Sequence, residues 1–249
     1  MPRYIHLREI TSTNSYLSKV ASTLPSGTVI YTYRQTAGRG QKGNSWESEP
    51  GKNLSFSSLF KGLPVSPAHQ FAICEAVSVA IAEVLAEESD GIKIKWPNDI
   101  YHHDGKLCGI LIEHSLVDGA IAHTIAGVGV NVNQTRFVSD APNPVSLAGI
   151  TGRDYDLDSM LHRVCERIEA KCACLGNAEA EAGIHRQYLS MLYWNDALLH
   201  TFELHNGERF FASVGDVLPD GTLCLHAQDG TVRQFRFKEV KHVINDITL

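Results

Sequence analysis

Two clusters of residues have types and spacings that could do chemistry. The first is Gly38-Arg39-Gly40-Gln41-Lys42-Gly43, followed by Trp46. Glycines let backbone amides approach an anion closely. Arg39 and Lys42 carry charge that matches phosphate oxygens, and Trp46 has a face on which a base could stack. The second cluster is Lys95-Trp96-Pro97-Asn98-Asp99, with Lys106 seven positions beyond Asp99. Lys106 enters an otherwise apolar run from Leu107 to Ile112. A buried ammonium needs an anionic partner, and a carboxylate or phosphate ligand would supply one. Taken singly, each feature has a plain structural reading: a glycine-rich surface loop for the first, a solvated hairpin lysine for Lys106.

The loop fits the dinucleotide fingerprint G-x-G-x-x-G as a string, but not in context. That fingerprint must open a helix whose N-terminus holds the pyrophosphate. Here it runs into Asn44-Ser45-Trp46-Glu47-Ser48-Glu49-Pro50-Gly51, which is no helix start, and no acidic residue ends a second strand at the expected distance. The dinucleotide reading is therefore rejected.

The elements that must position these residues follow from periodicity and turn chemistry. Strands are expected over Tyr4–Leu7, Thr28–Tyr33, Leu54–Phe60, Ile92–Trp96, Leu107–Ser115 and Ala120–Val132. A short helix, Ser15–Thr23, follows the capping residues Thr11-Ser12-Thr13-Asn14, and a longer one spans Pro67–Glu88. Asn133–Asp156 reads as irregular, and helices are expected over Leu157–Cys174 and Ala178–Trp194. Beyond Trp194, four short strands alternate with the hairpin signals Asn206-Gly207, Asp220-Gly221 and Asp229-Gly230, which predicts a small β-barrel. The expected division is a catalytic domain over residues 1–195 and a small barrel over residues 196–249.

Composition narrows the class. The chain has 249 residues, 43% hydrophobic and 20% charged, enough for a full core without staples. With 22 basic and 28 acidic side chains the net charge is −6, which argues against a nucleic-acid binder. The six cysteines follow no disulfide framework, and there is no leader-like start or membrane-length apolar run, so a reduced, cytoplasmic, soluble protein is expected. His162, Cys165, Cys172 and Cys174 do not have the spacing of a zinc knuckle and read as helix packing or exposed thiols.

Taken together, the motifs resemble the biotin protein ligases. They are Ser12-Thr13-Asn14, Gln35-Thr36-Ala37-Gly38-Arg39-Gly40, Trp46, Lys95-Trp96-Pro97-Asn98-Asp99, Gly105-Lys106-Leu107-Cys108-Gly109-Ile110-Leu111 and Gly127-Val128-Gly129-Val130-Asn131, in family order over most of the first 150 residues. The resemblance implies an α+β fold: a mixed β-sheet flanked by helices, of the class II synthetase-like biotin/lipoate ligase kind, with an SH3-like barrel at the C-terminus. It implies that Ser12, Thr13, Asn14 and Gln35 bind the ureido ring of biotin, and that Arg39, Gly40 and Gln41 complete that site. Lys106 would sit on the reacting carboxylate and α-phosphate, and with Arg39 carry the catalysis. Gly38, Arg39, Lys42, Trp46, Asn98, Lys106 and Asn131 would bind ATP or the adenylate. Many relatives have two further arginines after Gly-Arg-Gly, where this chain has Gln41 and Lys42; loss of one fixed charge bears on how tightly the loop retains the adenylate.

The activity implied is formation of biotinyl-5'-adenylate from biotin and ATP with Mg²⁺, then transfer to a lysine of a biotin carboxyl carrier protein. No residues are assigned to a metal. The alternative is a lipoate or related acyl-protein ligase, although the arginine-glycine-glycine and histidine-aspartate motifs of that branch are absent. A repressor with an N-terminal helix-turn-helix is disfavoured because the ligase-like strand begins near residue 4, so no DNA partner is expected. A non-catalytic biotin-binding module is the third rival. A homodimer is left open.

Overall fold

The computed structural model describes residues 2–41, 44–138 and 143–244. The first part comprises β1 (Arg3–His6), α1 (Thr13–Val20), β2 (Thr28–Thr32), β3 (Gly38–Arg39), β4 (Ser45–Trp46), β5 (Leu54–Lys61), α2 (Phe71–Ala86), β6 (Ile92–Lys95), β7 (Asp99–His102), β8 (Gly105–Val117), β9 (Ala120–Val130), α3 (Leu147–Thr151), α4 (Leu157–Cys172) and α5 (Ala178–Met191). Seven strands form one sheet in the order β1-β2-β5-β9-β8-β7-β6, with β1 and β2 parallel and the other pairs antiparallel. The short strands β3 and β4 pair with each other to make the arms of the glycine-rich loop.

Alternation along the central strands gives the sheet two unlike faces. Leu54, Phe56 and Phe60 of β5 and Ala126, Val128 and Val130 of β9 point into the main core with α2, α4 and α5. Helix α2 is apolar nearly all round, as a helix covered on several sides must be. On the opposite face, Leu59 and Ile125 meet Leu17 and Ala21 of the α1 segment in a small second core. On that face the residues two and four positions along are Ser57 and Ser55 on β5, and Gly127 and Gly129 on β9, which are small or polar. The sheet is thus sealed by α1 at one end and left open beyond it.

Several boundaries differ from the sequence reading. Ser12 caps α1, its hydroxyl accepting from Ser15 N, so the helix begins at Thr13. The expected Pro67–Glu88 helix divides into a 3₁₀ turn at Pro67–His69 and α2. Asp99–His102, to which the sequence reading gave no strand, is β7; the turn between β7 and β8 falls on His103 and Asp104, where His103 takes a positive φ of 48°. Within the segment expected to be irregular, Ser146 caps α3 and Gly152 ends it at φ 73°. Helix α5 ends before Leu192, because Leu192 and Tyr193 add onto Ile94 at the sheet edge.

The C-terminal region is a five-stranded antiparallel sheet, β10 (His200–Leu204), β11 (Arg209–Val217), β12 (Leu223–Ala227), β13 (Val232–Phe235) and β14 (Val240–His242), in the order β13-β12-β11-β10-β14. The fifth strand is too short to show alternation and was not expected. The sheet matches the small SH3-like module that was. It docks on the larger sheet where Trp96 Nε1 donates to Gly221 O at 3.0 Å and the Trp96 ring meets Phe237. No described helix is long and apolar enough to cross a membrane.

Candidate active site

The open part of the sheet face holds a cavity of about 110 Å³. Its walls come from the N-terminus of α1, the β3–β4 loop, and strands β8 and β9, with Asp99 of β7. Ser12, Thr13, Asn14, Gln35, Arg39, Gly40, Gln41, Trp46 and Lys106 all line it. Nine residues expected to bind biotin or the adenylate are therefore brought to one place by elements far apart in the chain.

At the α1 end the polar groups form a connected network. Gln35 Oε1 accepts from Thr13 N at 3.0 Å, and the Thr13 hydroxyl lies 2.8 Å from the Ser57 hydroxyl. Ser57 also bonds to Asn14 Oδ1. Asn14 Nδ2 donates to Leu111 O at 3.2 Å and to Glu113 Oε2 at 2.9 Å. Ser12, Thr13 and Asn14 are buried, so their bonding groups are held in place before any ligand arrives. Backbone bonds from Thr36 N to Ile10 O and Ala37 N to Thr11 O tie the loop base to the approach to α1.

The floor is made of glycine. Gly109 of β8 pairs with Gly129 of β9, and Leu111 pairs with Gly127. A Cβ on Gly129 would sit 2.4 Å from Trp46 Nε1, and one on Gly109 would sit 2.8 Å from the same ring. A Cβ on Gly127 would fall 2.0 Å from Asn14 Oδ1. These glycines serve close approach, since each lies where a neighbouring side chain occupies the space of its own. Gly38 is constrained similarly: its Cβ would meet Trp46 O at 2.4 Å. Buried Trp46 Nε1 and Ser55 Oγ have no protein partner, and Ser55 stands opposite Gly129.

Lys106 reaches the cavity because of a bulge. Ile100 pairs with Cys108 but Tyr101 with Lys106, so Leu107 is an extra residue on β8. Leu107 and Cys108 are consequently both buried, and Lys106 turns to the cavity side. Its ammonium contacts Asp99 Oδ2 at 2.6 Å and lies 5.8 Å from the Trp46 ring centroid. The anionic partner that the sequence reading sought in a ligand is thus supplied by the protein itself. Cys108 is no nucleophile here: complete burial pushes its thiol well above the ordinary range.

Other expected residues sit differently. The Arg39 guanidinium pairs with Glu113 Oε1 at 2.7 Å and donates to Ser15 Oγ at 3.0 Å, so its charge is already matched and it anchors the loop base. Asn98 does not line the cavity. It lies behind the wall, accepting from Gln41 Nε2 at 3.2 Å and donating to Ile110 O at 3.2 Å. Asn131 also lies outside, under the segment carrying Lys106, donating to Val145 O at 3.0 Å; its buried Oδ1 has no partner in the protein. Gly38 adjoins the cavity through Gln35 and Trp46. Lys42, expected to bind the adenylate, lies outside the described residues.

Sequence reasoning missed Ser57 and Glu113 and gave no role to the floor glycines. Ser57 sits in a plain β-pattern with no motif around it. Glu113 had one signal, a carboxylate placed directly after the apolar run Leu107–Ile112 within one strand. Among the described residues, no three His, Cys, Asp or Glu side chains gather as a metal site. The arrangement as a whole offers a fixed polar cradle at one end, an aromatic wall, a glycine floor and an ammonium at the other end. That suits an elongated small molecule with a polar head and an anionic tail.

Comparison with known proteins points the same way. Residues 7–131 match the model of the biotin/lipoate A/B protein ligase family, half of the chain. The bifunctional ligase/repressor BirA of Escherichia coli is 37% identical over 135 residues, covering 54% of this chain and 42% of that protein. The biotin–[acetyl-CoA-carboxylase] ligase of Paracoccus denitrificans is 30% identical over 160 residues, covering 62% of this chain and 67% of that one. The chain spans less than half the length of the bifunctional relatives. Among solved structures, the biotin protein ligase from Aquifex aeolicus in complex with biotin and ATP superposes with a TM-score of 0.79 at 24% identity, over 98% of this chain and all of that one. At that identity the likeness concerns the fold. The chain belongs to the biotin/lipoate A/B protein ligase family.

Proposed function

We propose that the protein is an ATP-dependent ligase that activates biotin as biotinyl-5'-adenylate and transfers it to a specific lysine of a biotin carboxyl carrier protein. The observation that carries this reading is the single cavity whose head is the prearranged Thr13–Gln35–Ser57–Asn14 network and whose far wall holds Lys106. A buried polar network of this kind rejects ligands that cannot satisfy it, which suits a ureido ring. The names of the relatives support the same chemistry over lipoate activation.

In the first half-reaction a biotin carboxylate oxygen attacks the α-phosphorus of ATP. The bond from that phosphorus to the bridging oxygen breaks, and pyrophosphate leaves. MgATP enters as substrate. The protein's task is to bring two anions together, which Lys106 serves by placing positive charge where they meet. Arg39, locked to Glu113, holds the loop base in register over the cavity, and Trp46 closes its side. In the second half-reaction a lysine amine of the acceptor attacks the carbonyl carbon of the mixed anhydride and AMP leaves. Positioning and shelter from water supply most of that catalysis. The cysteines, all unbridged, take no part, and they fit a reducing, cytoplasmic setting.

Biotin-dependent exchange of labelled pyrophosphate into MgATP, run beside the same assay with lipoate, tests the reading. Exchange with biotin and none with lipoate is expected. Exchange with lipoate alone would replace it with the related acyl ligase, and biotin binding without exchange would reduce it to a binding module.

A further inference from the structure

Charge around the cavity nearly cancels among the described residues. Arg39 is matched by Glu113 and Lys106 by Asp99. A neutral pair is a poor receptor for a carboxylate and a triphosphate, and the Asp99 carboxylate would repel both. One more cation stands directly behind this pair. Lys95 is the cross-strand partner of Asp99 in the β6–β7 hairpin, while Lys106 is the partner of Tyr101 on the next strand. Residues directly opposite in an antiparallel pair share a face. Lys95, Asp99, Tyr101 and Lys106 therefore lie side by side, with Asp99 between the two lysines.

Lys95 is poorly compensated. Its ammonium donates to the Tyr101 hydroxyl at 3.4 Å and lies 4.9 Å from that ring's centroid, and it makes no ion pair among the described residues. His242 of the C-terminal sheet, held as a neutral imidazole chiefly by burial and in part by the Lys95 charge, offers it no anion. Burial pulls the Lys95 ammonium below its ordinary range, opposed by Asp99 and reinforced by Lys106. A half-buried cation with a phenol as its hydrogen-bond partner and a carboxylate already held by Lys106 is costly unless its field is used.

We infer that Lys95 is a positioning residue for adenylation: it takes over the Asp99 carboxylate when Lys106 turns to the reacting anions, and so makes that end of the cavity net positive. The inference rests on the ligase reading above. Counting Lys95, Lys106 and Asp99 together gives one net positive charge; without Lys95 the count is zero.

The test compares wild type with Lys95→Met, Lys95→Arg, Asp99→Asn and the double variant Lys95→Met/Asp99→Asn. KM for MgATP and kcat are read from biotin-dependent pyrophosphate exchange, with biotin affinity by calorimetry and a melting temperature for each protein. Lys95→Met should raise KM for MgATP about tenfold or more, as expected for loss of one charge within several ångströms, while biotin affinity and melting stay near wild type. Lys95→Arg should restore most of the loss. Asp99→Asn in the Lys95→Met background should bring KM for MgATP back toward the value of Asp99→Asn alone, because the carboxylate that needed a second partner is gone. An unchanged KM and kcat in Lys95→Met overturns the proposal. So does a defect of equal size whether or not Asp99 is present, since Lys95 would then act independently of that carboxylate. A wild-type protein with no exchange at all would instead refute the ligase reading itself.

Discussion

Gly127→Ala tests the cavity floor most directly. The added Cβ would sit 2.0 Å from Asn14 Oδ1 and 2.6 Å from its Cγ, far inside any real contact. Gly127 lies mid-strand, paired with Ser57 on one side and Leu111 on the other, so the backbone has little room to yield. The Asn14 side chain must leave, breaking its bonds to Leu111 O, Glu113 and Ser57. At about 1 kcal/mol net for each bond, the loss is on the order of 2–3 kcal/mol, shared between stability and ligand affinity. Since 1.4 kcal/mol is a factor of ten, an even split should raise KM for biotin roughly tenfold, with a smaller change in KM for MgATP. Pyrophosphate exchange at varied biotin and at varied MgATP separates the two. Combining Gly127→Ala with Asn14→Ala should cost much less than the sum of the single changes, because the second removes the clash made by the first. A Gly127→Ala enzyme with wild-type KM for biotin would refute the placement of Asn14 at the head of the site.

Lys106→Ala should lower biotin-dependent pyrophosphate release by orders of magnitude without unfolding the protein; near-normal release from the folded variant would remove Lys106 from the mechanism. Arg39→Ala and Glu113→Ala should both speed the loss of labelled adenylate in a chase experiment, with the double variant little worse than either, since one ion pair anchors the loop; additive effects would show that the two act separately. His242 lies against Tyr193, Trp194 and Phe202, where burial lowers its pKa from 6.5 to about 3. A depressed basic group stabilises the fold fully above its unfolded pKa, and that contribution is lost as pH falls from near 6.5 toward 3, by up to about 1.4 kcal/mol per pH unit. His242→Gln should flatten this acid limb in melting temperature measured against pH, and an unchanged slope would contradict the burial of a neutral imidazole there.

The sequence by itself determined the local patterns. Ser12-Thr13-Asn14 had the residue types of a helix start, the apolar runs at Leu54, Leu107 and Ala120 had the makeup of core strands, and Asn-Gly and Asp-Gly dipeptides marked the hairpins. Such signals depend on neighbours in the chain, where propensity and capping act. Motif order then sufficed to suggest which residues meet. Only the tertiary structure decided how they meet. It placed Asp99 on Lys106 and Glu113 on Arg39, so the two cations read as free for ligand already have partners. It turned Lys106 onto the cavity side by a single extra residue, Leu107, a change of face that depends on strand register and is invisible to periodicity. It also showed that Gly109, Gly127 and Gly129 are absences filled by Trp46 and Asn14. Those side chains arrive from segments 63 to 113 residues away in sequence, a packing relation that no local pattern of residues can carry.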